Sequence, residues 1–503
     1  MSQPGWRIEI VPEARRPGLR RLLVGETGRR MRLLGAGIAV VAGAGVADGL
    51  VSKPAVTPAP KPSAGRAIGA LVSAPDAESS AWFCVGASGS GGSAVGALML
   101  VNPTGRALGG TVTVAPSVGG AKSIEVSVPP ESQIGVLPAD VASGPWVAAT
   151  VLFDGGGAGV TQVVSGPLGW STAPCASTTS SNWYFAHGST ASGASLTLAL
   201  YNPSTTDAVA NVTLDSSSQG VLQPPAYQGV PVPAGSLVVE NVSDHLLNDP
   251  SVATVVSTSS GTVVAAELQS TPLSGGGGGS SLLLGVPEPA TKWDFPQNSD
   301  PPNGGLVFHV FNPSARQVSV SVRVGIGPGA SEPLSVEVPP ESVFDLVAER
   351  QTRIPASSPY SIELTTHHGV GIVVDREVAS GGGTAAPRVG QVHGVPGGTT
   401  AALLPADVYP GSPASGASSL TVANLSAHRV TITVESIVKR QPLAGLDSRP
   451  VPPGGSLTAG EAPGSPIGLE PLLVLASGPV AVELDATPSG TPGAVVLPAL
   501  VLG

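Results

Sequence analysis

The residues that could support catalysis or metal binding are sparse in this chain. It contains neither a Gly-x-Ser-x-Gly nucleophile elbow nor a His-Glu-x-x-His zinc motif. Of its seven histidines, His187 is the most notable because it follows the aromatic cluster Trp183-Tyr184-Phe185. We interpret His187 as a turn residue. We predict no catalytic residue, no cofactor-binding residue, no metal site and therefore no enzyme.

The adjacent histidines His367 and His368 precede Gly369 at a predicted hairpin tip. Neighbouring side chains on a strand point to opposite faces, so a metal pair here would need ligands from elsewhere. A solvated turn is the favoured interpretation.

Carboxylates recur near the last predicted strand of successive segments, at Glu267, Glu377 and Glu483, with Gln162 in the corresponding first place. A glycosidase would pair one of them with a second acid across a cleft. No second acid recurs consistently. We therefore expect a solvent-facing or inter-domain structural role for these residues.

Trp82, Trp183 and Trp293 occupy the same place in three segments. Exposed indoles would offer flat faces for stacking on sugars, which makes them candidate ligand-binding residues. Alternatively, each indole closes the end of its sandwich or packs against the next segment, since a buried aromatic contributes about 150–250 Å² of apolar contact. Only 4% of the residues are aromatic, and packing is the favoured interpretation.

Cys84 and Cys175 are the only cysteines. Two cysteines in an exported chain most simply form one disulfide. Such a bond would stabilise the fold by about 4 kcal/mol in the chain-entropy model. A reactive thiol or a metal pair is the alternative, but no His or Cys lies at ligand spacing.

The elements that position these residues are repeated. An Asn-Pro-Thr/Ser triplet occurs three times and a degenerate Asn-Leu-Ser copy once, with spacings of 100, 110 and 112 residues. An aromatic cluster precedes each triplet, with only Tyr409 in the fourth copy, and a Val-Pro-x-x-Ser element follows it. Markers in a fixed order at a fixed period indicate one structural unit copied four times. The triplets begin at Asn102, Asn202, Asn312 and Asn424.

The predicted units are repeat 1 (79–178), repeat 2 (179–284), repeat 3 (285–398) and repeat 4 (399–503). The run Ser195 to Tyr201 alternates apolar and polar residues, as expected of a half-buried strand. Six or seven short antiparallel strands per unit predict an all-β fold of tandem immunoglobulin-like β-sandwiches. A four-bladed β-propeller is the alternative, although its blades are typically about half this length. The runs Gly275–Gly279 and Gly381–Gly383 are predicted to be junction loops.

The composition excludes some function classes. Charged residues are only 12% of the chain, while 67 glycines and 51 prolines suit strands and tight turns. The net charge is −10, although residues 1–32 contain eight Arg and only three Glu. Nucleic-acid binding requires clustered Lys and Arg, so an acidic body of this kind is not expected to bind nucleic acid.

The amino-terminal region predicts a membrane attachment. A basic cytoplasmic segment (1–32) precedes an apolar run (33–51) long enough for one transmembrane helix, with the body outside the cytoplasm. The small residues Gly45-Val46-Ala47 also permit cleavage, which would release a secreted protein. A Pro/Ala-rich stalk (53–78) follows.

The order of these features resembles a known family. An Arg-rich start, one apolar segment, a proline stalk and the recurring Trp, Asn-Pro-Ser and Val-Pro elements are similar to the actinobacterial domain-of-unknown-function family 5719. The resemblance implies an exported, membrane-anchored protein and no known activity. Repeat 4 departs from the pattern, with Leu425 in place of proline and Val408-Tyr409 in place of the tryptophan pair.

We therefore expect a non-catalytic, single-pass protein of the bacterial cell envelope that presents its sandwiches as a scaffold or interaction rod. The alternative is an array of carbohydrate-binding modules for cell-wall or capsular glycan. The expected partners are the membrane and cell-envelope proteins or glycans. One continuous closed ring would contradict the expected arrangement of the repeats.

Overall fold

The computed structural model describes residues 69–87, 95–166, 168–273, 277–298, 305–326, 329–354, 359–382, 385–406, 417–460, 465–487 and 495–502. The regular secondary structure of these residues is almost entirely β-strand, as predicted. Within these ranges no helix has the length and apolar character needed to cross a bilayer. The predicted basic segment, transmembrane helix and cleavage site lie outside the described residues, as do stalk residues 53–68.

Repeat 1 consists of two packed four-stranded sheets. Their orders are β2-β7-β4-β5 and β6-β3-β8-β9, following a short strand β1. Trp82, Leu100, Val112 and Val151 are buried between them because each strand alternates inward and outward side chains. The elements are β1 (Leu71–Val72), β2 (Ser80–Ala87), β3 (Val95–Asn102), β4 (Leu108–Pro116), β5 (Lys122–Val128), β6 (Ser132–Val136), helix α1 (Pro138–Val141), β7 (Trp146–Phe153), β8 (Gly159–Gly166) and β9 (Gly169–Pro174).

Repeat 2 is built in the same way. Its sheets contain β10-β16-β12-β13, with β14 on β12, and β15-β11-β17-β18. The strands are β10 (Asn182–Gly188), β11 (Ser195–Tyr201), β12 (Ala208–Ser216), β13 (Gly220–Leu222), β14 (Val230–Val232), β15 (Leu237–Asn241), β16 (Val252–Ser260), β17 (Val264–Leu273) and β18 (Gly277–Leu284), with 3-10 helices at Pro225–Tyr227 and Val242–Asp244.

Repeat 3 also has this arrangement. Its sheets contain β19-β25-β21-β22, with β23 on β21, and β24-β20-β26-β27. The strands are β19 (Lys292–Asn298), β20 (Gly305–Asn312), β21 (Val318–Ile326), β22 (Gly329–Ala330), β23 (Leu334–Val338), β24 (Ser342–Val347), β25 (Tyr360–Thr366), β26 (Val373–Gly382) and β27 (Ala385–His393), with a 3-10 helix at Ala348–Arg350.

In repeat 4 one long strand, β34, contributes to both sheets. Its first half pairs with β28 and β30, and its second half pairs with β29 and β35. The first strand of this repeat is β28, which ends at Leu404. The aromatic element that we placed at Tyr409 is therefore not part of this first strand. Tyr409 itself lies outside the described residues. The strands are β28 (Thr399–Leu404), β29 (Ala417–Asn424), β30 (Val430–Ser436), β31 (Gln441–Pro442), β32 (Arg449–Val451), β33 (Ser456–Ala459), β34 (Leu472–Thr487), β35 (Val495–Pro498) and β36 (Leu500–Leu502).

A buried asparagine explains why the two main sequence markers occur together. The Asn312 amide donates to the Arg316 carbonyl across its own turn and to the carbonyls of Val338 and Pro339 in the downstream element. Its Oδ1 accepts hydrogen bonds from the backbone and hydroxyl of Ser314. The same side chain bonds both its own turn and the downstream element in every copy. The asparagine is thus a cross-link between two strand ends, and not only a turn former.

The turn that receives this cross-link needs a left-handed backbone. Glu131 and Glu341 adopt φ values of 50° and 47°, and glycine occupies the corresponding place in the other two repeats, at Gly235 and Gly454. These glutamates are therefore turn residues.

Strands of consecutive repeats lie side by side along a common axis. The hydroxyl of Ser171 in β9 accepts from the backbone of Leu282 in β18, and Ser281 in β18 accepts from Gln391 in β27. A Cβ on Gly279 would lie 1.8 Å from the Val389 carbonyl oxygen, so only glycine permits this approach. The prediction of junction loops was wrong for Gly277–Gly279, which are part of β18, and for Gly381 and Gly382, which are part of β26.

The last repeat packs on the first, so the predicted rod is wrong. β1 pairs in parallel with β36, through Leu71↔Val501 and Val72↔Leu502. The Gln133 side chain exchanges two hydrogen bonds with the backbone of Ala406. The end of the predicted stalk is therefore a strand, because it lies on the edge of the last repeat. Contacts run from each repeat to the next and back to the first, as in a propeller, but the strands form several sheets and no sheet among the described residues closes on itself.

The predicted disulfide is confirmed. Cys84 in β2 is bonded to Cys175, directly after β9, and both residues are buried. The bond therefore links the first and last strands of repeat 1.

Replacing Asn312 with aspartate should weaken repeat 3. An ionised aspartate cannot donate to the three carbonyls that the amide contacts, so we expect a loss of roughly 3 kcal/mol in local stability. Hydrogen exchange of β20 and β23 measures this loss. The control Asn248→Asp makes the same change at an exposed turn position. Equal effects from the two variants would contradict the cross-linking role.

Candidate functional site

The main concentration of buried polar groups that we find lies between repeats 2 and 3. His187 is in β10, four residues after Trp183, and His309 is in β20, three residues before Asn312. Their rings stack with centroids 3.6 Å apart and planes 5° from parallel. Each residue is only 4% exposed. The interpretation of His187 as a turn residue is therefore wrong, because it is a buried strand residue at the junction.

Each imidazole is held at Nδ1 by a neighbouring side chain. His309 Nδ1 lies 2.7 Å from Asp345 Oδ1, and His187 Nδ1 lies 3.2 Å from the Ser251 hydroxyl. His187 Nε2 lies 3.6 Å from a carboxylate oxygen of Glu377 in β26. His309 Nε2 has no hydrogen-bond partner among the described residues.

The electrostatics of this cluster favour a neutral His309 and an ionised Glu377. Burial and the neighbouring His187 lower the pKa of His309. Burial opposes the ionisation of Glu377, but the hydrogen bond and charge of His187 outweigh it and lower the pKa of this carboxyl.

Asp375 fastens the His187 strand to repeat 3. Its Oδ2 accepts from the backbone amides of Ala186 and His187, at 3.0 and 3.1 Å, and its Oδ1 contacts His393. Burial lowers the pKa of His393, but the charge of Asp375 outweighs this and raises it. Asp375 is fully buried, so it fixes the position of His187 in the junction.

The equivalent junction between repeats 3 and 4 contains a buried ion pair. Arg376 is 2% exposed, and it contacts Glu483 and donates to Asn298 Oδ1 at 3.0 Å. Burial together with the adjacent Glu483 raises the pKa of Asp485, 4.0 Å from the guanidinium. Glu483 is thus the nearer carboxylate partner of the arginine.

The recurring acids lie near the contacts between repeats, as we predicted with the inter-domain structural role. Gln162, Glu267, Glu377 and Glu483 occupy corresponding strands. Glu377 contacts a side chain of repeat 2, and Glu483 contacts one of repeat 3. The solvent-facing alternative is wrong for Glu267 and Glu483, which are 1% and 4% exposed.

The three tryptophans are buried inside their own repeats. Trp82, Trp183 and Trp293 are at most 1% exposed, and each indole nitrogen donates to a backbone carbonyl of its repeat. These three indoles therefore have no exposed face for stacking on a sugar. In contrast, His367 and His368 lie in an exposed turn, as predicted.

An apolar cavity of about 100 Å³ lies between β9, β18 and β27, the last strands of repeats 1, 2 and 3. Its walls include Pro174, Leu284, Val286, Trp293 and Val395. His393 lines this cavity, but His187, His309 and Glu377 do not, so the cavity is separate from the stacked histidines.

Comparison with known proteins identifies the family. Residues 156–438, more than half of the chain, match the Family of unknown function (DUF5719). The chain belongs to this family. The predicted family resemblance is thereby confirmed, and the DUF5719 match contains His187, His309 and Glu377.

Other comparisons of this DUF5719 chain are weak. No curated protein matches it. A crystal structure described as Thermotoga maritima 1070 shares 20% identity over 21% of this chain and 94% of that chain, with a TM-score of 0.19. A tetra-tandem repeat in the extending region of a large adhesion protein shares 10% identity over 79% of this chain and 92% of that chain, with a TM-score of 0.09. These similarities do not bear on fold or function.

Removing the buried arginine should destabilise the junction between repeats 3 and 4. The Arg376→Met variant leaves Glu483 buried without its cation, at a cost of about 3–5 kcal/mol. Adding Glu483→Gln should restore most of the loss, because a neutral pair needs no counter-charge. Urea unfolding measures both variants. The control Arg323→Met removes an exposed contact with Glu363 and should cost less than about 1 kcal/mol. A double variant no more stable than Arg376→Met would contradict this account.

The stability of the protein should fall as pH rises toward 8, in part because of Glu267. Burial raises its pKa from 4.5 to about 8, with the charge of Asp375 acting in the same direction. Unfolding therefore releases a proton between these two values, and the stabilisation is lost as pH rises through the folded pKa. Thermal melting at pH 5 and pH 8 should show a smaller decline for Glu267→Gln than for the unsubstituted protein. The control Glu78→Gln, at an exposed site, should keep the full decline, and an unchanged decline in Glu267→Gln would refute the assignment.

Proposed function

We propose that this protein is a non-catalytic scaffold of the cell envelope, made of four immunoglobulin-like repeats and anchored by the apolar segment 33–51. The observation that carries the proposal is the packing of the last repeat on the first, through β1–β36 and Gln133. A chain closed in this way holds its surface loops in fixed relative positions. That property suits a platform for other envelope components.

The junctions support a rigid platform. Repeats 2, 3 and 4 are joined by Asp375 and by the Arg376–Glu483 pair, both of which are buried. Independent domains on flexible linkers expose their facing surfaces and move relative to one another. Here, the facing surfaces are held together by buried hydrogen bonds from Ala186 and His187 to Asp375 and by a buried ion pair.

The disulfide supports an extracytoplasmic location. Disulfides persist in oxidising compartments and are rare in the cytosol. With a basic segment before the apolar run, the body would lie outside the membrane.

The carbohydrate-binding alternative has less support. It relied on Trp82, Trp183 and Trp293, whose indoles are buried. Glycan binding would therefore need another surface. Retention of the full chain on purified cell-wall polysaccharide would favour this alternative over the scaffold.

Thiol accessibility in whole cells tests the proposed location. Because Cys84 and Cys175 are both buried in the folded protein, the full chain produced in a bacterial host is unfolded in denaturant. Both cysteines should then resist a maleimide reagent until a reductant is added. Protease added outside spheroplasts should digest the body, and a variant lacking 33–51 should leave the membrane fraction. A Cys84→Ser/Cys175→Ser variant controls for labelling elsewhere. Free thiols without reductant, or a body protected from external protease, would contradict the proposal.

A further inference from the structure

We propose that the junction between repeats 2 and 3 is a zinc site, in which His187, His309 and Glu377 coordinate the ion through the two Nε2 atoms and a carboxylate oxygen. Two imidazoles and one carboxylate are a ligand set that zinc commonly takes, with a fourth position left for water. The site goes beyond the scaffold function and does not depend on it.

The geometry brings the three ligands close enough for one ion. One potential ligand atom from each residue lies within 4.8 Å of the others, and His187 Nε2 is 3.6 Å from Glu377 Oε2. Tetrahedral zinc with bonds of about 2.0–2.1 Å places its ligand atoms roughly 3.3 Å apart. The set therefore has to contract by about 1 Å. Because the two rings are parallel, one ring must also tilt to bring both Nε2 lone pairs onto the ion.

The partners of the imidazoles are those of a metal centre. Metal-binding histidines generally use the second ring nitrogen to contact a carboxylate or another polar group, which fixes the ring. Asp345 does this for His309, and Ser251 does it for His187. Because Nδ1 of each ring makes this contact, both Nε2 atoms are available to bind an ion. The Nε2 of His309 is buried without a hydrogen-bond partner in the described part of the chain, and coordination to zinc would satisfy it.

The other junctions show that the fold does not require these histidines. In the junction between repeats 3 and 4, the positions of His187 and His309 are taken by Gln297 and Thr421, which hydrogen bond directly to each other. By the same spacing from the repeat markers, Gly86 and Ala199 take these places between repeats 1 and 2. The stacked pair therefore exists for a reason other than holding two repeats together.

The charges at the two junctions also favour a bound cation beside Glu377. Between repeats 3 and 4, the acid Glu483 is balanced by Arg376. Ala266 is the residue of repeat 2 that corresponds to Arg376, so Glu377 faces no arginine from that repeat. A divalent cation would supply the missing positive charge. Glu377 and Asp345 are 26% and 47% exposed at their side chains, which provides a path for the ion from solvent.

Titration of the full chain with Zn²⁺ tests the proposal. After treatment with a chelator, the protein should bind a single equivalent of Zn²⁺ and melt at a higher temperature with Zn²⁺ than without it. Mg²⁺, which prefers oxygen ligands, should have no such effect. Co²⁺ should bind in place of Zn²⁺ and give the visible absorption of a tetrahedral site.

Substitutions at the proposed ligands test which side chains bind the ion. His309→Ala and Glu377→Gln should each weaken Zn²⁺ binding by at least about 100-fold, since even loss of a supporting partner costs about 10–100-fold. Asp345→Asn, which changes only such a partner, should weaken it by about tenfold. The control His367→Ala/His368→Ala removes two exposed histidines and should bind as the unsubstituted protein does.

Each possible result of these measurements either supports or contradicts the zinc site. Folding of each variant is checked by circular dichroism with chelator present, and Glu377→Gln keeps the size and shape of the side chain if His309→Ala does not fold. Absence of Zn²⁺ binding by the unsubstituted protein would overturn the proposal. So would equal binding by Glu377→Gln, or loss of binding in the His367/His368 control.

Discussion

The parallel pairing of Leu71–Val72 with Leu500–Leu502 constrains the geometry of all the repeats, because it joins the two ends of the described chain. The contacts between consecutive repeats must together be compatible with this pairing. Between repeats 2 and 3, β18 and β27 approach closely enough to exclude a side chain at Gly279. Serine hydroxyls make matching bonds from β9 to β18 and from β18 to β27.

Within this common geometry the junctions differ in chemistry. Corresponding positions contain a stacked histidine pair in one junction and a glutamine–threonine hydrogen bond in the next. The recurring acid meets an imidazole in the first and a guanidinium in the second. Packing therefore sets where the repeats touch, while the side chains at a few equivalent positions decide what each contact can bind or sense.

Much of the fold could be predicted from the sequence, because its markers act within one repeat. The Asn312 turn, the alternation in Ser195–Tyr201 and the Cys84–Cys175 pair are local or follow from composition. The site could not be predicted in the same way. His187 and His309 meet only because two repeats pack face to face, and their spacing in sequence contains no ligand motif. Their fixed offsets from Trp183 and Asn312 were a usable signal, but interpreting it required the direction in which the repeats stack.

The circular order of contacts has a consequence for how such a chain can evolve. An open solenoid can gain or lose a unit, because each unit contacts only its two neighbours. Here an inserted or deleted unit would leave the strand at Leu71–Val72 and the strand at Leu500–Leu502 without each other. A change in the number of repeats would therefore remove this pairing, whereas substitution of a single side chain at a junction would leave it in place.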